Sequence, residues 1–140
     1  MPKTQNPKLE PRVFLTEEKL RNADTDQQGH INNAMMASFF ESGRIEVLAR
    51  PELAESMKPA TVVVVRVEID YKKELFYPGT VQVSSRVTHV GRTSFRFEHS
   101  LRCGDDMIAN GLATCVLMDR ETRKPVPVPD AMRAFFETGA

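Results

Sequence analysis

Cysteine is scarce in this 140-residue chain. Cys103 and Cys115 are the two present, and they form no Cys-x-x-Cys pair, which excludes a disulfide framework as the source of stability. No base stands at a recognisable spacing from either thiol, and a small buried thiol in a strand is ordinary, so a cysteine nucleophile is set aside. The three histidines are equally scattered, which leaves no ligand spacing for a metal, and no other cofactor is called for. Net charge is also missing: 19 Lys plus Arg balance 19 Asp plus Glu, so no overall field draws the chain onto nucleic acid or an anionic membrane. No stretch is apolar for long enough to insert in a membrane. Residues 1–12 are polar, with three prolines where a secretory signal needs an apolar core. These absences predict a soluble, cytoplasmic protein with a flexible arm over residues 1–11 and a single domain over 12–140.

What is present is periodic. Residues 12–21 mix Val13, Phe14, Leu15 and Leu20 with charges, a pattern shared by strands and short helices, and we read an edge strand. From Asn33, the positions Met36, Phe39, Phe40, Gly43 and Val47 recur on one helical face, and Pro51 ends the helix by restricting Arg50. After a turn-rich stretch to Pro59 the period becomes two. Val63, Val65, Val67, Ile69 and Tyr71 alternate with more polar residues, then Val81, Val83, Ser85 and Val87, then Phe95, Phe97, His99 and Leu101, then residues 108–118. Pro78-Gly79, Gly91 and Gly104 separate these runs. The pattern predicts an α+β domain in which one long helix stands between a first strand and a four-stranded antiparallel meander. Pro125, Pro127 and Pro129 stiffen the exit, and Asp130 is placed to cap a short helix holding Met132, Phe135 and Phe136.

Residues 22–33 concentrate Asp24, Asp26, His30, Asn32 and Asn33 just before the long helix. A helix N-terminus carries unpartnered N–H groups with partial positive charge, so a carbonyl placed there is polarised while a neighbouring carboxylate or imidazole works as a base. Each residue has a second reading. Asp24 and Asp26 are typical of Asx turns or caps, Asn32 or Asn33 of a plain N-cap, and His30 of a loop histidine. His89 and His99 fall in strand patterns and are read as structural.

Asp24-Thr25-Asp26, Gly29-His30-Ile31-Asn32-Asn33-Ala34 and Phe40-Glu41-x-x-Arg44, with the later Gly91-Arg92-Thr93-Ser94-Phe95 turn and the run at 125–129, resemble hotdog-fold acyl-CoA thioesterases of the 4-hydroxybenzoyl-CoA thioesterase type, which are related to the plant acyl-carrier-protein thioesterases. The resemblance covers residues 12–136. It implies a hotdog fold, a long central helix wrapped by a curved antiparallel sheet of about five strands. It also implies side-by-side pairing into a homodimer or a homotetramer built as a dimer of dimers, with active sites at the subunit interface. By the same resemblance Asp26 acts as nucleophile or as general base for water, and the backbone N–H at Asn33 polarises the carbonyl. His30 occupies a position at which the family's branches differ. Arg92 aligns with basic residues that contact coenzyme A phosphates, and it or a solvated turn arginine is expected there; Ser94 either lines the site or satisfies a strand end. Glu41 and Arg44 match the helix motif and equally suit an i, i+3 ion pair. Met36 departs from the aromatic residue usual at its position.

Hydrolysis of an acyl-CoA thioester is therefore the leading expectation. An acyl-carrier-protein thioesterase is the alternative within the enzyme class, and a non-catalytic acyl-CoA-binding module the alternative outside it. Asp26 argues against the module, because binding alone needs no carboxylate at a thioester.

Overall fold

The computed structural model describes residues 11–137. Its first strand, β1 (Phe14–Lys19), leads through a 3-10 turn at Asn22–Asp24 into the long helix α1 (Ala34–Leu48). Met36, Phe39, Phe40, Gly43, Arg44 and Val47 form the buried face of α1. The helix stops at Leu48 because Arg50 turns extended ahead of Pro51, whose ring suits the first turn of a new helix. That helix, α2 (Pro51–Met57), occupies the stretch expected to be turns. Four strands follow, β2 (Ala60–Tyr71), β3 (Thr80–Val90), β4 (Ser94–Cys103) and β5 (Asp106–Asp119), and then α3 (Asp130–Phe135). Asp130 sits in the first turn of α3 without capping it, the N-cap being Pro129.

The strands form one antiparallel sheet in the order β1-β3-β4-β5-β2, and α1 packs on one face of it, chiefly over β1, β3 and β4. This is the expected α+β arrangement with one correction. β3, β4 and β5 are a meander, but β2 pairs with β5 and not with β3, so residues 72–79 cross from one edge of the sheet to its interior. Alternation reports which face a strand buries and says nothing of which neighbour it takes.

A second correction concerns β2. A bulge between Val64 and Arg66 shifts the register, so Val62 and Val64 share a face with Val67, Ile69 and Tyr71 in place of Val63 and Val65. The face so formed is half open, with Val64, Val67 and Tyr71 41%, 45% and 50% exposed.

The core divides along α1. Near its start Leu20, Ile31, Met36, Phe39, Phe40, Leu75 and Leu101 pack together, and towards its end Val47, Phe95, Phe97, Leu117, Met132 and Phe136 do so. Close approach of helix and sheet depends on Gly111, where a Cβ would lie 2.7 Å from the Phe40 ring. No described helix is long and apolar enough to cross a membrane. The arm over residues 1–11 lies outside the described residues except for Pro11, which bridges to Glu137.

Candidate active site

The loop before α1 is fastened from inside. Asp24 is buried and takes a 2.7 Å hydrogen bond from Arg21 Nη2, and that bond holds its carboxyl below the usual range. The Asn32 N–H donates to the Asp24 carbonyl, and Thr25 bridges to Ile31. Between them residues 26–30 make a tight turn in which Gly29 has φ 84°, a left-handed conformation that glycine adopts without Cβ strain.

Asp26 sits at the head of this turn. Its Oδ1 accepts the Gln28 and His30 N–H groups at 2.8 and 3.0 Å, an Asx-type arrangement. Oδ2 is 3.7 Å from His30 Nδ1. One oxygen therefore fixes the loop, as the turn reading expects, and the other carries no hydrogen bond among the described residues.

His30 is held from its other side by a residue that sequence reasoning missed. Residues 72–79, crossing towards β3, run beside the loop: Ile31 N–H donates to the Leu75 carbonyl, and His30 bridges to Phe76. Glu74 Oε2 thereby lies 3.4 Å from His30 Nε2, and the Phe76 ring meets the imidazole edge-on at 4.6 Å. Glu74 stands in what reads as a simple turn, and no local pattern marks it; the signal would have been the placement of β2.

At the start of α1, Asn33 is the N-cap residue and makes no side-chain cap bond. Asn32 does the capping, its Oδ1 accepting the Ala34 N–H at 2.9 Å. The Met35 and Met36 N–H groups are taken by the carbonyls of Asn32 and Asn33. Among the described residues no acceptor meets the Asn33 N–H, which leaves it as a donor at the positive end of the helix. Tyr71, at the end of β2, approaches from the side with its hydroxyl 3.5 Å from the Asn33 carbonyl.

Asp26, His30, Asn32, Asn33 and Glu74 line one open pocket of about 350 Å³, floored by Ile31 and Leu75. The arrangement offers a free carboxylate oxygen, an imidazole between two carboxylates and an unpartnered backbone donor, the requirements for attack on a polarised carbonyl. No grouping of three potential metal ligands occurs among the described residues. A larger groove of about 550 Å³ crosses the outer face of the sheet, where Arg86 and Glu98 neutralise each other.

Arg92 and Ser94 stand elsewhere. Their turn joins β3 to β4 at the far end of the domain, tied to the C-terminal segment by Val128 N–H donating to the Arg92 carbonyl and Arg133 Nη2 donating to the Gly91 carbonyl. Within one chain the length of α1, about 22 Å for 15 residues, separates them from Asp26. Lys73 pairs with Asp106. Arg44 forms no ion pair with Glu41; its Nη1 reaches His99 Nε2 at 3.1 Å beneath the helix.

The family described as the thioesterase-like superfamily matches residues 20–136. Among solved structures, a predicted thioesterase from Bacillus stearothermophilus superposes with a TM-score of 0.80 at 31% identity, covering 89% of this chain and 94% of that one. A DHNA-CoA thioesterase from Staphylococcus aureus gives 0.76 at 24% identity over 88% of each chain. A 1,4-dihydroxy-2-naphthoyl-CoA thioesterase from Synechocystis gives 0.77 at 16% identity, covering 89% of this chain and 96% of that one. These last two likenesses speak for the hotdog fold alone. No curated protein matches the chain.

Proposed function

Because the chain belongs to the thioesterase-like superfamily and is a thioester hydrolase, we propose that it cleaves acyl-CoA thioesters in the pocket between Asp26 and the start of α1. The observation that carries this reading is the pairing, in one pocket, of a free Asp26 Oδ2 with an Asn33 N–H that lacks an acceptor. The thioester carbonyl oxygen docks on that N–H, which gains strength as negative charge grows on the oxygen. Asp26 takes a proton from water as the water oxygen bonds to the carbonyl carbon, and collapse expels the thiolate, a good leaving group; if Asp26 bonds to that carbon itself, the same collapse leaves a mixed anhydride, which water then hydrolyses to the free acid and the Asp26 carboxylate. His30 hands a proton between the carboxylates and the departing sulfur.

Arg92 and Ser94 enter the same scheme across a subunit boundary. The free edge of β2 carries exposed Val64, Val65 and Val67, a long apolar edge of the kind natural sheets cover. Antiparallel pairing of two such edges joins the sheets of a homodimer and brings the partner's far end towards Asp26, where its Arg92 meets the coenzyme A phosphates by charge-assisted bonds. The test is a thiol-release screen over diverse acyl-CoAs with Asp26→Asn as the blank, run beside matched acyl-carrier-protein thioesters. Release by wild type and its loss in the variant is the expected result; full turnover by Asp26→Asn would overturn the assignment, and a preference for the carrier-protein esters would reassign the substrate.

A further inference from the structure

Arg44 is a buried cation without an ion-pair partner, Glu41 one turn back on the helix acting on it only from beyond contact distance. It is 7% exposed, no carboxylate among the described residues lies within ion-pair distance of it, and its one hydrogen bond goes to His99. Arginine only donates, so His99 Nε2 accepts, and the ring proton sits on Nδ1, 2.9 Å from Ser85 Oγ. His99 is held neutral, its pKa pushed down to about 3 by burial and by Arg44. It therefore orients the guanidinium without neutralising it. The remaining N–H groups of Arg44 have no partner, yet they are not sealed from solvent.

The face they serve can be traced. Asn33, Ala37 and Arg44 are spaced four and seven residues apart and share one side of α1. The side bearing Ser42, Ile45 and Glu46 looks towards β1. Asn33 meets Tyr71 and Arg44 lies beside Cys115, so the Asn33 side looks towards β5 and β2. On β2 the residues opposite Ala109, Gly111, Ala113 and Cys115 are Tyr71, Ile69, Val67 and Val64. They share the helix-bearing face of those buried partners. The result is a trough with α1 as one wall and these four side chains as the other. It runs from the Asn33 N–H to Arg44, about 16 Å along the helix axis at the usual rise per residue. Glu41 is exposed on the helix above it, and Glu68 and Asp70 face the groove on the opposite side of the sheet, which leaves the β2 wall uncharged.

We propose that the acyl group lies along this trough with its carbonyl at Asn33, and that Arg44 binds a carboxylate at the far end, so that the preferred substrates are thioesters of dicarboxylic acids. The assignment rests on the hydrolytic reading above and specifies its substrate class. A guanidinium fork suits a carboxylate by two parallel hydrogen bonds, whereas an alkyl end would leave the cation buried and unanswered.

The test compares CoA thioesters of matched length, succinyl with butyryl, adipyl with hexanoyl and suberyl with octanoyl, and reads the ratio of kcat/KM within each pair. In wild type the ratio rises with length to favour the dicarboxylic ester by roughly tenfold or more, the usual strength of bonds to charged groups. It collapses in Arg44→Gln and is partly kept in Arg44→Lys, which retains the charge without the fork. A wild-type ratio at or below one at every length overturns the proposal without any variant, as does a preference unchanged in Arg44→Gln. Hydrolysis of the monocarboxylic series alone leaves the thioesterase reading standing and removes only this one; failure of both series removes both.

Discussion

The two ends of α1 are built on opposite terms. Where the helix begins, Asp26 and Glu74 have side chains 43% and 68% exposed, and the loop is held by backbone bonds to Asp26 Oδ1 and by the ion pair of buried Asp24 with exposed Arg21. Where it ends, Phe95, Phe97 and Phe136 are sealed against one another, and α3 closes over them. The polar groups of the pocket thus stand on the open side of one packed cluster that includes Ile31 and Leu75, while the other end of the helix is closed by aromatic rings. On the proposed function, turnover and stability reside in different residues of this domain and should respond to substitution separately.

The sharpest way to break that contrast is Asp26→Asn. The amide oxygen still accepts the Gln28 and His30 N–H groups, so the loop persists while the base is lost. We expect kcat/KM to fall by about 10²–10⁴-fold, with the thermal midpoint unchanged; thiol release and calorimetry on one preparation decide it, and a large loss of stability would erase the separation. Phe97→Ala is the mirror experiment. Emptying a fully buried ring site should cost about 3–5 kcal/mol in denaturant unfolding, with the remaining folded fraction still active at low temperature. His99 joins the two ends, since it lies under the helix between the Phe40 and Phe97 rings. Burial and the neighbouring Arg44 push its folded pKa down to about 3, below the ordinary histidine value of 6.5, so the unfolded chain binds the proton more readily. Stability contributed by the neutral ring is complete above pH 6.5 and falls by about 1.4 kcal/mol per pH unit down towards pH 3. His99→Gln should flatten that slope in acid titrations followed by circular dichroism. The smallest effect belongs to Glu74→Gln. An exposed pair contributes little, so turnover should change by no more than about fivefold with stability untouched, and a larger loss would show Glu74 acting directly on substrate.

The sequence carried much of the fold and less of the site. Phe95, Phe97, His99 and Leu101 alternate so cleanly that their burial follows from period alone, and the face of α1 was legible in Met36, Phe39, Phe40, Gly43 and Val47. The helix at 51–57 was hidden because Pro51 ends one helix and begins another. The neighbour of β2 was hidden because pairing is a long-range choice with no local signature. From that one misplacement came the omission of Glu74 and Phe76, which reach His30 only because residues 72–79 cross the start of α1. Asp26, His30 and Asn33 do share a pocket. The different surroundings of the two Asp26 oxygens were not legible, since they are distinguished by geometry and not by residue type.

The position of β2 outside β5 also sets an order of events during folding. β3, β4 and β5 are joined by tight turns and meet their partners locally, whereas β2 leaves the chain before them and must wait for β5 to exist before it has anything to pair with. Long-range pairing of this kind is slow because the loop must close before any contact repays it. During that interval a valine-rich strand is exposed on both edges, and even afterwards one edge stays open until another strand covers it. Yield on refolding should therefore fall with chain concentration through capture of β2 by the wrong partner, and Val65→Lys should raise that yield while weakening the proposed pairing of two β2 edges.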